Sequence, residues 1–128
     1  MQNINRLATD DCPEINYDAE KNRLTISGNS YPENCEIIYE PIKKFLDDYD
    51  IEKNNMLNFY FRFNLINSTS TVYLAQIIVK VAELAKEGLS VFIKWYYDED
   101  DEELLDLGEK LSAISKLPFE YAAVKDEH

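Results

Sequence analysis

The chain is poor in the residue types that supply most recognisable chemistry. Its single histidine is His128, the last of 128 residues, which removes imidazole acid–base work and histidine metal ligation from everything but the tail. There are two cysteines, Cys12 and Cys35. They form no Cys-x-x-Cys pair, so zinc would find too few soft ligands, and they read as free thiols of a reducing cytoplasm. Three glycines and four prolines leave little room for long irregular loops, and no glycine-rich phosphate loop is present. No apolar run is long enough to span a bilayer. The stretch from Met1 to Asp10 lacks the apolar core of a signal peptide, so a cytoplasmic location without membrane contact is expected. Positive charge is scarce as well. Thirteen Lys and Arg against 25 Asp and Glu give a net charge of −12, with a pI near 4.4. Such a field repels nucleic acid and anionic membranes and favours a partner with a basic docking surface, although acidity also simply keeps a protein soluble.

What is present is a foldable core. Hydrophobic residues are 45% and aromatic residues 12%, too apolar for a disordered chain. The length suits one domain over residues 1–128, with its core about 13–124. Strands and helices alternate without repeats or low-complexity linkers. Pro13 to Tyr17 and Arg23 to Ser27 read as a hairpin about the turn Asp18 to Asn22, ended by Gly28 and Asn29. A helical stripe follows: Ile37, Ile38, Ile42, Phe45, Leu46 and Tyr49. Pro41 is expected to kink that helix or to start a second piece. From Met56 to Ile66, Leu57, Phe59, Phe61, Phe63 and Leu65 alternate with Asn58, Tyr60, Arg62 and Asn64, a strand with one buried face. Ser68 to Glu87 is a second helix, with Leu74, Ile77, Ile78, Val81, Leu84 and Ala85 inward, Tyr73, Gln76, Lys80, Glu83 and Glu87 outward, and Gly88 as its C-terminal stop. Leu89 to Tyr97 is a strand with Trp95 in the core beside Val91 and Ile93. Asp100 to Lys116 is a third helix, with Leu104, Leu107, Leu111 and Ile114 inward. Phe119 to Val124 is a last strand, and Lys125 to His128 a frayed tail.

This alternation predicts an α/β fold: a mixed sheet whose later strands are parallel and joined by right-handed crossovers, with an antiparallel hairpin at one edge. Strands covered on both faces would be continuously apolar. The clean alternation after Met56 instead places three helices mainly on one face and leaves the other partly open.

The segment Ile66-Asn67-Ser68-Thr69-Ser70-Thr71 concentrates hydroxyls where a strand hands over to a helix. Unpaired N–H groups and the positive helix end meet there, so a phosphate would find donors. The plainer reading is that Asn67 or Ser68 is an N-cap, which both residue types do well. The acidic run Asp98 to Glu103 does not match the calcium-loop spacing, and no metal is expected. A solvated helix start explains it first, and a negative docking surface second. Tyr31-Pro32-Glu33 reads as a helix start. Tyr96 and Tyr97 lie near a strand end within a partner's reach.

Three segments, each at a turn into a helix, carry a resemblance: Ser30-Tyr31-Pro32-Glu33-Asn34, Asn67-Ser68-Thr69-Ser70, and Trp95-Tyr96-Tyr97-Asp98-Glu99-Asp100-Asp101. Together, and over about Pro13 to Val124, the chain resembles the SiaC family of bacterial regulatory phosphoproteins, long known only as a domain of unknown function. The resemblance implies a STAS-like α/β sandwich and a partner-switching role without enzymatic activity or cofactor. A serine/threonine kinase phosphorylates the domain, and a metal-dependent phosphatase reverses this. The unphosphorylated form binds a target, such as a diguanylate cyclase, and so governs cyclic-di-GMP and surface-attached growth. The family phosphosite is a hydroxyl residue directly after the Asn of the turn, which is Ser68 here, with Thr69 and Ser70 as alternatives. The candidate partner-binding set is Tyr31, Asn34, Asn67, Ser68, Thr69, Tyr96, Tyr97 and Asp98. The competing readings are an adaptor domain that is never phosphorylated, and a small-molecule binder or enzyme using the acidic residues. The last has no histidine, phosphate loop or nucleophile beside a base to work with.

Overall fold

A computed structural model of the chain describes residues 4–125; the expected frayed tail, apart from Lys125, lies outside the described residues. The elements run β1 (Glu14–Asp18), β2 (Arg23–Ser30), α1 (Glu36–Asp47), β3 (Met56–Ile66), α2 (Ser68–Lys86), β4 (Ser90–Asp98), α3 (Glu102–Ser115) and β5 (Phe119–Val124). The five strands lie in sequence order in one sheet. β1 pairs antiparallel with β2, and every later pair is parallel. Because each crossover steps to the next strand in the same direction, right-handed connections put all three helices on one side. The architecture is the expected mixed sheet with an edge hairpin.

The alternation in β3 produces the buried layer. Leu57, Phe59, Phe61 and Phe63 are buried, as are Ile93 and Trp95 beside them and Leu24 and Ile26 on β2, while Val91 packs half-buried against them. The helices close this layer with Ile38, Ile42, Phe45 and Leu46 from α1, Leu74, Ile77, Ile78 and Val81 from α2, and Leu104 and Leu111 from α3. At about 1.5–3 kcal/mol for each large apolar side chain removed from water, this layer dominates the stability.

Several expectations are corrected. β2 does not end at Gly28 and Asn29. It runs to Ser30 through a register shift, with Gly28 at φ 111°, a conformation that glycine adopts without steric cost. Pro41 does not start a second piece, since α1 runs through it as one helix. The lost N–H bond costs about 3 kcal/mol, less than burial of Ile38, Tyr39, Ile42, Phe45 and Leu46 returns. Pro32 and Glu33 are not a helix start: α1 begins at Glu36 with Cys35 at the cap. Leu65 is 60% exposed, Ile37 63% and Ile114 55%. Each stands near the end of its element, beyond the neighbours that would cover it. Ser115 and Gly108 are buried where Ile114 was expected.

Candidate functional site

The parallel strands point their C-terminal ends the same way, so the turns after β2, β3 and β4 share one end of the sheet. These turns hold the residues singled out from the sequence, and the turn after β3 is the most sharply defined. Asn67 is extended (φ −92°, ψ 169°), and its side chain accepts a hydrogen bond from the Ser70 N–H at 2.8 Å. Asn67 is therefore the cap, and Ser68, Thr69 and Ser70 are the first three helical residues.

The three hydroxyls differ. Ser70 is fully buried. Its Oγ donates to the Ser30 carbonyl at 3.0 Å and accepts from the Ser30 hydroxyl at 2.8 Å. The Ser30 hydroxyl in turn accepts from Tyr39, and the Cys35 thiol lies 3.4 Å from Ser70. This relay pins the start of α2 to the end of β2 and to α1. Burial pushes the Tyr39 hydroxyl up to about 12, with the bonds to Ser30 and Ser70 pulling the other way. Ser68 and Thr69 are exposed. Their backbone N–H groups are the first two of the helix and have no intrahelical acceptor. The first turn of α2 holds no acidic residue, whereas α1 begins with Glu36 and α3 with Glu102 and Glu103. The positive end of the α2 dipole is thus left uncompensated by its own sequence.

The remaining candidates fall into two neighbourhoods. Tyr31 follows β2 and is 41% exposed. Its hydroxyl donates to the Asp10 carbonyl at 2.8 Å, and its N–H bonds the Asp11 carbonyl, tying the segment before β1 to this end of the sheet. Asn34 is exposed in the same turn. Asn67 joins the two turns, because its N–H bonds the Ser30 carbonyl at 2.9 Å. Tyr96, Tyr97 and Asp98 instead line an open cleft of about 1380 Å³ together with Arg62, Asn64, Leu65 and the start of α3. Successive strand residues face opposite ways, so Tyr96 lies on the helix-free face, while Tyr97 packs half-buried against the core. Leu65 lines the cleft two residues before Asn67 and so joins both neighbourhoods along β3.

The acidic run serves the local backbone. Asp98 accepts from the Asp100 N–H at 2.9 Å, and Asp101 caps α3 by accepting from the Leu104 N–H at 3.0 Å. Among the described residues no group of three or more His, Cys, Asp or Glu converges as a metal set, and no helix is long and apolar enough to cross a membrane. Sequence reasoning missed Ser30, Cys35 and Tyr39 as partners of the hydroxyl segment. Their only signal was polar character beside apolar neighbours, which does not say where they converge. It also missed Leu65 as a surface residue.

Comparison with known proteins gives a consistent set of relatives. A model of the SiaC family regulatory phosphoproteins matches residues 7–124. An uncharacterized protein of Pseudomonas aeruginosa (strain UCBPP-PA14) is 24% identical over 119 residues, covering 93% of this chain and 94% of that one. The structure is similar to crystalline apo-SiaC from Pseudomonas aeruginosa, with TM-score 0.80 and 25% identity over 96% of this chain and 100% of that one. It is also similar to a chain in the crystal structure of the diguanylate cyclase SiaD in complex with its activator SiaC, from the same species, with TM-score 0.78 and 26% identity over 91% of this chain and 96% of that one.

Proposed function

This chain belongs to the SiaC family of regulatory phosphoproteins, and on that premise we propose that it is a non-enzymatic, cytoplasmic switch whose state is set by phosphorylation of Ser68. A serine/threonine kinase adds the phosphoryl group and a metal-dependent phosphatase removes it. The unmodified form binds and regulates a target, of which a diguanylate cyclase is the model, since a similar structure contains a cyclase with its activator.

The observation that supports Ser68 is the division of labour in its turn. Asn67 does the capping and Ser70 is enclosed, leaving Ser68 and Thr69 as the exposed hydroxyls. A phosphate adds about −1.5 to −2 of charge at neutral pH. At the first helical residue it meets free N–H groups and the positive dipole end, so the fold tolerates it. Binding responds differently. The dianion would stand among Tyr31, Asn34, Asn67 and Thr69, and burying it against a target without a matching cation costs several kcal/mol, or orders of magnitude in affinity.

The test is peptide mass spectrometry after incubation with the cognate kinase, paired with binding of the target. Phosphate on Ser68, with Ser68→Ala binding constitutively and Ser68→Asp binding weakly, is the expected result. Phosphate on Thr69 alone would move the site by one residue. No phosphate anywhere from Asn67 to Thr71 would leave an adaptor that is never phosphorylated.

A further inference from the structure

The sheet face opposite the helices concentrates what the rest of the molecule lacks. Where the register joins all three central strands, three rows of three residues point to this side: Arg23, Thr25 and Ser27 of β2, Asn58, Tyr60 and Arg62 of β3, and Phe92, Lys94 and Tyr96 of β4. Three are cations, three are aromatic and none is acidic, in a chain with 25 Asp and Glu against 13 Lys and Arg. The cations lie on the rings. The Arg23 guanidinium is 4.8 Å from the centroid of Tyr60, that of Arg62 is 5.5 Å from Tyr96, and the Lys94 ammonium is 5.2 Å from Tyr96 and 6.0 Å from Tyr60. Among the described residues the ion pairs are Lys43 with Glu40 and Lys80 with Asp47, so none of these three cations is in a contact ion pair. The buried Nε of Arg23 has no hydrogen-bond acceptor. Phe92 is 55% exposed in the same patch.

The rim has the opposite sign. Register places Asp18 beside Arg23 and Glu14 beside Ser27 on one flank, and Glu120 beside Lys94 on the other; Asp98 ends β4 on the same side. A positive aromatic centre inside a negative rim selects a short anionic ligand. A long polyanion such as nucleic acid would overlap the rim, and a second copy of this face would set three cations against three.

We infer that the helix-free sheet face, which meets the strand-end cleft at Arg62 and Tyr96, is a docking surface separate from the hydroxyl turn at Ser68, and that its occupant is a short acidic extended segment of a partner protein. Arg62 and Lys94 are diagonal neighbours on adjacent strands, about 8 Å apart from strand spacing and rise. Alternate residues of an extended segment lie about 6.6 Å apart on one side, so a Glu-x-Glu pattern reaches both cations. An apolar residue two positions further meets Phe92.

The probe is the blocked peptide Glu-Ser-Glu-Ser-Leu, with Gln-Ser-Gln-Ser-Leu as control, titrated into isotope-labelled protein and followed by amide chemical shifts in 100 mM salt. There the distant net charge is screened over about 10 Å while contact pairs persist. The expected result is saturable shifts confined to β2, β3 and β4, at least fivefold weaker binding for the glutamine peptide, and a similar loss for the Arg62→Glu, Lys94→Glu protein, whose fold is verified from its own spectrum. The Phe92→Ser protein provides a second, milder loss, and Ser68→Asp is expected to bind the probe like the wild type, which separates this surface from the phospho-switch. Equal binding of both peptides, shifts elsewhere or none, concentration-dependent shifts of these strands without peptide, or tighter binding of a twelve-nucleotide single strand would each overturn the assignment.

Discussion

Ser68 and Ser70 are two residues apart and chemically identical, yet the fold gives them different work. Ser70 completes a buried relay through Ser30 to Tyr39, while Ser68 faces solvent. Ser70→Ala should therefore lower unfolding free energy by about 1–3 kcal/mol, because buried partners lose their hydrogen bonds. Ser68→Ala should stay within about 0.5 kcal/mol. Urea unfolding of the two variants measures this directly, and equal losses would refute the division of labour. Tyr39 gives a pH signature. Its folded-state value is raised from 10.0 to about 12, so the native state holds a proton that the unfolded chain has released. The contribution is fully present below pH 10 and is lost as pH rises from 10 to about 12, amounting to about 2–3 kcal/mol. Tyr49 is raised too, chiefly by burial, so the alkaline loss must be read as wild type against Tyr39→Phe. The variant should lose less stability over that window, and parallel curves would show that Tyr39 ionises freely.

At the scale of elements, the contact between α3 and the sheet turns on a residue without a side chain. A Cβ built on Gly108 would stand 2.7 Å from the Trp95 ring, and the Trp95 indole N–H donates to the Leu104 carbonyl of the same helix at 3.0 Å. Helix propensity alone predicts that Gly108→Ala stabilises by about 1 kcal/mol. The close approach predicts overpacking, typically 1–3 kcal/mol unfavourable, and loss of the indole bond. A net fall of about 1–2 kcal/mol is expected in thermal or urea unfolding, with altered tryptophan fluorescence, and a rise in stability would mean that α3 can move away from Trp95 at little cost. Element type and order were legible in the sequence because period 2 and period 3.6 are strongly written in β3 and α2. The three misplaced apolar side chains share one cause. Leu65, Ile37 and Ile114 keep the local period while the covering element ends, and periodicity does not register where a neighbour stops.

The whole molecule has a net charge of −12, and this governs how it meets a partner. If a basic target surface is steered by that field, the affinity of the protein for the target proposed above should fall by about tenfold between low salt and 0.5 M, mostly through the association rate, because screening shortens the reach of the field. Binding measured by surface-capture kinetics at several ionic strengths checks this. An affinity indifferent to salt would indicate an apolar interface instead, for which Leu65 and the cleft at the strand ends provide the exposed surface.

By itself the sequence determined the alternation of strands and helices, the parallel sheet with its edge hairpin, and the segment from Asn67 to Ser70 as the place of interest, since these follow from local periodicity, capping chemistry and the resemblance of three short motifs. Position after Asn67 already ranked Ser68 above Ser70, but the enclosure of Ser70 was not legible, because it depends on Ser30, Cys35 and Tyr39 arriving from β2 and α1. The period of β4 did separate Tyr96, on the open face with Tyr60 and Phe92, from Tyr97, on the side of Trp95. The grouping of Arg23, Arg62 and Lys94 around Tyr60 and Tyr96 was invisible, because strand register, set by the packing of the opposite face, decides which distant residues become neighbours.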